Sequence, residues 1–357
     1  MISLGGSGKD LGLKEKSRKS SNAVTMHAVA EHAGVSPMSV SNVVNGRKVR
    51  PETEAAVRRS IAVLNYKPNA AARALASATA MRIGLLYNSP ESAFVSALLV
   101  GALDIATRCG AQIILKRAAD ADFRTIAEAL HALVDEGANA LLVPAPHCET
   151  VSGTGLADTL GVPLVALCPG SALPDITSVR VDDQAAARDM TVHLIALGHR
   201  RIGFIRAAPN HIVSKSRFTG YAQALAEHGL PLDESLVADG DLTFDRGLDA
   251  AEQLLDLDQP PTAIFASNDD TAAAVVSVAH RRGIQIPQQL AVAGFDDSPI
   301  SRKVWPQITT IRQPIVEMTS AAVDILDRMF NDRMADPAVE TICSPYELLI
   351  RRSTELP

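Results

Sequence analysis

From Arg82 to its end the chain alternates short aliphatic runs with amphipathic stretches, and this alternation restricts its possible folds more than any other feature. The runs are Ile83–Tyr87, Gln112–Leu115, Ala140–Val143, Leu164–Leu167, Arg201–Ile205, Ala263–Ala266 and Leu290–Phe295. Between them lie Ser96–Cys109, Arg124–Glu136, Gln184–Leu197 and Arg217–His228, which have helical spacing of apolar residues. Strands that alternate with helices predict an α/β fold of parallel sheets covered on both faces. Arg82-Ile83-Gly84-Leu85 and Arg201-Ile202-Gly203-Phe204 read as openings of two similar units, 119 residues apart. Two doubly wound lobes follow from this. Ligands of such sheets sit beyond the carboxyl ends of the strands, here in the cleft between the lobes.

Ahead of this body, Val24–Leu75 has a different pattern. Val29-Ala30-Glu31-His32-Ala33-Gly34-Val35-Ser36 runs into Ser39-Val40-Ser41-Asn42-Val43-Val44-Asn45-Gly46. It reads as two short helices joined at Gly34, the spacing of an all-α helix-turn-helix. Ser36 can cap the second helix, and Pro37 at its first position forfeits no hydrogen bond. Val29, Ala30, Ala33, Val35, Val40 and Val43 supply small apolar contacts, which leaves Pro37, Met38, Ser39 and Asn42 facing outward. In a major groove Asn42 can bond adenine through both amide atoms, and Met38 can pack on a thymine methyl. Asn45-Gly46 ends this helix. Pro51-Glu52-Thr53 opens a third, which ends near Asn65-Tyr66 and closes the small core with Val57, Ile61 and Leu64.

The net charge of −6 argues at first sight against nucleic acid, but the charge is unevenly placed. Residues 1–80 hold 12 Lys/Arg against five acids, giving +7 and leaving −13 on the remainder. A basic head on an acidic body confines phosphate attraction to one end. Residues 1–23 read as a flexible basic tail. Gly5-Gly6-Ser7-Gly8-Lys9 within it is no phosphate loop, because Ser3 and Asp10 occupy positions that need Gly and Ser/Thr. The 357 residues, 47% hydrophobic, suit two or three globular domains. Cys109, Cys148, Cys168 and Cys343 are widely spaced and form neither a zinc pattern nor a disulfide framework. There is no continuous apolar leader and no run of membrane-spanning length, so a cytoplasmic protein with no membrane partner is expected. No nucleophile elbow or dinucleotide fingerprint supports an enzyme, and no cofactor is expected.

From Val24-Thr25-Met26 through Leu75, and on to Arg351-Arg352-Ser353-Thr354, the chain resembles the LacI-type (lactose/purine repressor) transcription regulators. The resemblance implies a helix-turn-helix domain over 24–69, a hinge helix over 70–80 and a two-lobed effector-binding and dimerisation domain over 81–357. Tyr66-Lys67-Pro68-Asn69-Ala70-Ala71-Ala72-Arg73-Ala74-Leu75 matches the family's hinge, in which Leu75 and its dimer mate wedge into the minor groove. DNA contacts are thereby expected from Thr25, Ser36, Pro37, Met38, Ser39, Ser41, Asn42, Asn45, Asn69, Ala72, Arg73 and Leu75.

His193-Leu194-Ile195-Ala196-Leu197-Gly198-His199-Arg200-Arg201-Ile202-Gly203-Phe204 is close to a signature of the same family, and its two histidines read as structural rather than metal ligands. Ser178–Asp183 should begin the crossing between lobes. Carried over by motif, the effector site comprises Asn88, Glu91, Phe94, Cys168, Arg217, Leu242, Asn268 and Asp296, with Ser92 in the same loop as Asn88. A guanidinium, an amide and a carboxylate at Arg217, Asn268 and Asp296 suit a polyhydroxylated ligand such as a sugar. The plainer reading of Arg217 and Asp296 is a structural ion pair. Cys168-Pro169 and Leu242 depart from the family's usual charged and aromatic residues. The expected protein is a dimeric repressor that reads a pseudo-palindromic operator under control of a small effector. No leucine heptads follow Arg351, which favours a dimer over a tetramer. A solute-binding protein for uptake, which shares the two-lobed fold, is the alternative.

Overall fold

The computed structural model describes residues 24–44, 49–66, 80–89, 92–118, 121–207, 211–331 and 338–355. The expected tail, the hinge contacts Asn69, Ala72, Arg73 and Leu75, the helix end at Asn45-Gly46, and Glu91 lie outside the described residues. The chain divides into two compact units, Met1–Thr79 and Ala80–Pro357.

In the first unit, helices α1 (Met26–Ala33), α2 (Pro37–Val44) and α3 (Pro51–Val63) surround a small core. The Thr25 hydroxyl accepts from the Ala28 N–H at 3.3 Å and starts α1. Gly34 ends it with φ +66°, a left-handed conformation that costs glycine little, and its N–H returns to the Ala30 and Glu31 carbonyls. Val29, Ala30, Val40, Val57 and Tyr66 are buried, with Ala33, Val35, Val43, Ile61 and Leu64 packed around them. Each apolar residue assigned to this core from the sequence therefore belongs to it.

The second unit holds two six-stranded sheets. Strands β1 (Arg82–Tyr87), β2 (Gln112–Arg117), β3 (Ala140–Pro144), β4 (Leu164–Leu167), β5 (Ser178–Val181) and β11 (Thr341–Ser344) form the first, in the order β11-β5-β4-β3-β1-β2 and parallel throughout. The second comprises β6 (Ile202–Arg206), β7 (Val237–Asp239), β8 (Ala263–Ala266), β9 (Ala291–Asp296), β10 (Thr309–Arg312) and β12 (Glu347–Leu349). Its order is β12-β10-β9-β8-β6-β7, and only β12 is antiparallel to its neighbour. Two doubly wound lobes are what the alternation of runs predicts.

The repeated Arg-Ile-Gly opening has a packing cause. A Cβ on Gly84 would lie 2.8 Å from Leu141 and 3.2 Å from Leu133, on helix Phe123–Asp135. One on Gly203 would lie 3.2 Å from Ile264 and from Leu254, on helix Phe244–Leu255. In each lobe the glycine lets a crossover helix approach the first strand closely.

The chain crosses between lobes three times. It leaves the first after β5 for helix Asp183–Ala196, returns after β10 through helix Ile315–Asn331, and passes back between β11 and β12. Ser353 and Thr354 then anchor the final segment in the second lobe. The Ser353 carbonyl accepts from the Val292 N–H at 3.0 Å, and the Thr354 hydroxyl bonds the His193 Nε2 at 3.1 Å. His199 bonds the Thr262 hydroxyl at 2.9 Å, so the two histidines serve separate packing contacts. No helix among the described residues is long and apolar enough to cross a membrane.

Candidate functional site

On the first unit, helix α2 carries the expected DNA-reading residues. The Ser36 hydroxyl accepts from the Ser39 N–H at 3.2 Å and caps the helix start. Pro37 and Met38 are exposed, Met38 by 68%, while Ser39, Ser41 and Asn42 are half-buried along the same helix. Thr25, also expected at the DNA, is exposed as the cap of α1. Of the 12 basic residues in 1–80, only Arg50, Arg58 and Arg59 fall among the described residues. Glu54 pairs with Arg58 at 2.6 Å. The positive excess of residues 1–80 therefore comes from residues outside the described ones, in 1–23 and at Arg47, Lys48, Lys67 and Arg73.

The second unit encloses a cavity of about 460 Å³ where strands of both sheets end. Tyr87 of β1 leads to Asn88 and, across the loop, Ser92 and Phe94. Leu167 of β4 leads to Cys168, Asp239 of β7 to Asp241 and Leu242, and Ala266 of β8 to Asn268. Asp296 ends β9, and Gln313 follows β10. All are carboxyl ends, as the parallel topology requires. Each effector residue expected from the sequence and described in the structure lines this cavity. Cys168, Leu242 and Asp296 there have φ of +56°, +70° and +106°, which side-chain-bearing residues rarely adopt. Such strain persists only where surrounding packing enforces it, commonly at ligand sites.

Arg217 lies at the base of the cavity with its side chain 5% exposed. Its Nε donates to Asp183 at 2.8 Å, one terminal nitrogen donates to the Ser267 carbonyl at 2.5 Å, and the other lies 3.7 Å from Asp296. The Phe295 ring covers the guanidinium at 3.6 Å. The dominant partner is thus Asp183, which sequence reasoning places only at the lobe crossing. Asn268 is similarly committed. Its amide oxygen accepts from the Thr271 N–H at 3.0 Å and its amide nitrogen donates to the Leu242 carbonyl at 2.8 Å. Asp296 accepts from the Gln313 amide at 2.7 Å. Burial pushes its carboxyl up to about 6 despite Arg217 and the Gln313 bond.

Several lining residues are not singled out by the sequence: His211, Asp241, Phe244, Asp245, Asp270 and Gln313. Phe244 is notable because it presents a partly exposed ring two positions beyond Leu242, which stands where an aromatic is expected. The three-residue strand β7 that positions this loop is too short to show a period.

Glu149 lies behind the cavity wall. Its Oε1 accepts from the Gly170 N–H at 2.8 Å, while its Oε2 is buried without a partner among the described residues. Burial raises its carboxyl to about 7. The folded protein therefore retains this proton while the unfolded chain, with an ordinary carboxyl pKa, releases it. That contribution to stability is full at low pH and declines as pH rises from the ordinary value toward 7. Glu149→Gln keeps an acceptor for Gly170 and removes the charge. It should gain about 1–3 kcal/mol relative to wild type between pH 5 and pH 8. Urea unfolding of both proteins at the two pH values checks this, and parallel losses would contradict it.

A three-helix unit of helix-turn-helix form, carried on one chain with a two-lobed body enclosing a polar cavity, is the arrangement of a DNA-binding regulator with a ligand-binding domain. Residues 25–69 match the family described as bacterial regulatory proteins, lacI family, and residues 191–354 match a periplasmic binding protein-like domain. Catabolite control protein A of Priestia megaterium is 32% identical over 339 residues, covering 93% of this chain and 99% of that protein. The regulator GalR of Escherichia coli K12 is 32% identical over 336 residues, covering 92% and 94%. The solved structure of the regulator CelR in complex with cellobiose aligns with a TM-score of 0.68 at 27% identity, over 92% of this chain and 99% of that one. The chain belongs to the LacI family and is a DNA-binding transcription regulator with a ligand-binding domain. The uptake alternative is thereby set aside.

Proposed function

We propose that this protein acts in the cytoplasm as a homodimeric repressor whose hold on a pseudo-palindromic operator is governed by a sugar or sugar derivative bound between its lobes. The cavity at the strand ends carries this reading, because the aromatic side chains of Phe94 and Phe244 line it together with carboxylates that accept hydroxyls. The similarity to CelR, solved with cellobiose, supports the same ligand class. A dimer is supported by exposed Val100, Leu103 and Val316 on two adjoining helices of the first lobe. In this reading helix α2 reads bases from each half-site, with Pro37, Met38, Ser39 and Asn42 nearest the groove and Leu75 wedged at the centre.

Titrating operator binding with candidate sugars tests the proposal. Operator affinity should change as the cavity fills, and by linkage operator should alter sugar affinity by the same factor. A sugar that fills the cavity and leaves operator affinity untouched would refute the control mechanism. Asn42→Ala should relax preference at one base pair per half-site by about 1–3 kcal/mol. Equal weakening on operator and random DNA in a binding assay would remove Asn42 from base reading.

A further inference from the structure

We propose that the cavity accepts uncharged polyhydroxylated ligands and rejects anionic ones, such as sugar phosphates and uronates, with Asp245 and Asp270 enforcing the choice. The inference rests on the sugar reading above and narrows it to a charge class.

The polar inventory of the cavity is strongly one-sided. Asp241, Asp245, Asp270 and Asp296 line it from the second lobe. Asp241 accepts from the Thr243 N–H at 3.0 Å and from its hydroxyl at 2.5 Å. Exposed Asp245 and half-buried Asp270 have no hydrogen-bond or ionic partner among the described residues. Burial raises the Asp270 carboxyl, as expected of a carboxylate with no counter-charge.

Against these acids stands one lining guanidinium, and it is already engaged. Arg217 donates to Asp183 and to the Ser267 carbonyl, its other terminal nitrogen lies 3.7 Å from the Asp296 carboxylate, and Phe295 covers one of its faces. His211 is held below its ordinary pKa by burial and by Arg217, so its imidazole adds no compensating charge near neutrality. The Asn268 and Gln313 amides already donate elsewhere. Beside the Asn88 amide nitrogen and the Ser89 and Ser92 hydroxyls of the first lobe, what the second lobe leaves for a ligand is mostly acceptors. Hydroxyl groups can donate to them, whereas a phosphate or carboxylate would enter a field of like charge in which the one lining guanidinium among the described residues is already paired with Asp183.

Isothermal titration with neutral mono- and disaccharides, each beside its 6-phosphate and its uronate, tests this. The protein should bind at least one neutral member, with the anionic counterpart weaker by about tenfold or more. In the double variant Asp245→Asn/Asp270→Asn that gap should narrow by about tenfold. Neither side chain holds a structural bond, so the variant should fold, and the wild-type panel stands alone if it does not. An anionic member that binds as tightly as its neutral parent overturns the charge selection and leaves the sugar reading intact. Failure of every member to bind overturns the sugar reading and this inference with it. A gap unchanged in the double variant removes the assignment to Asp245 and Asp270.

Discussion

Arg217→Met should cost about 3–5 kcal/mol of unfolding free energy at neutral pH, the largest loss expected from any single side chain of the cavity. Methionine can occupy much of the same volume, so the loss comes from charge rather than packing. Asp183, its side chain 3% exposed, and Asp296, 15% exposed, would lose the guanidinium they share, leaving Asp183 only the weaker pull of Arg180. The Ser267 carbonyl would lose its donor as well. Burial already raises the Asp183 carboxyl against the opposing pull of Arg217, and removing that pull must raise it further. A raised folded-state pKa contributes stability at low pH that is lost as pH rises, so the deficit of the variant should shrink from pH 7 to pH 5. Urea unfolding at the two pH values measures both effects. Adding Asp183→Asn should recover part of the loss, because it removes the charge left unpaired. A deficit below about 1 kcal/mol, or one that grows toward pH 5, would mean that the pair is not the electrostatic centre of the site.

Gly170→Val should weaken effector binding by at least about tenfold while leaving both lobes folded. Gly170 follows β4 in the first lobe and packs against the second lobe. Its carbonyl accepts from the Ser216 hydroxyl at 2.8 Å across the cleft and from Arg180 of its own lobe at 3.2 Å. A Cβ there would lie 2.5 Å from the Val213 nitrogen and 2.6 Å from its Cα, at the start of helix Ile212–Glu227. These are backbone atoms, which cannot rotate away as a side-chain tip can. The lobes must part at this point, and the cavity walls at Cys168 and Val213 must move with them. Overpacking of this kind costs about 1–3 kcal/mol, here falling mainly on one arrangement of the lobes rather than on the fold of either. Calorimetric titration with the effector and thermal unfolding separate the two quantities. Undiminished affinity would show that the Gly170 contact is not needed for a filled cavity.

Much of this organisation is legible in the sequence, for reasons that are local. A helix or strand announces itself by the period of its own apolar residues, so Ile83–Tyr87 and Ala263–Ala266 read as strands and the core of the head can be named residue by residue. Caps are equally local: Thr25 and Ser36 each accept from the N–H three residues ahead, and Gly34 turns the chain because it alone there lacks a Cβ. Motif likeness then places Arg217, Leu242, Asn268 and Asp296 at one cleft. The shortest strands give no such signal, since β7 and β12, three residues each, are too brief to display a period.

By itself the sequence determined the class of protein: a basic helix-turn-helix head, an acidic two-lobed α/β body and a cleft at its strand ends. The tertiary structure alone decided which side chains in that cleft remain available. Arg217 is neutralised by Asp183, 34 residues away, and the Asn268 amide is consumed by the Leu242 carbonyl, 26 residues away. Phe244 lines the cavity two positions beyond Leu242, and Asp245 and Asp270 are left unpaired among the described residues. Element type follows from neighbours along the chain, whereas the partner of a buried polar group depends on distances set by three crossings between two sheets. The composition of a site can therefore be read from motifs, but its free valences exist only in the folded molecule.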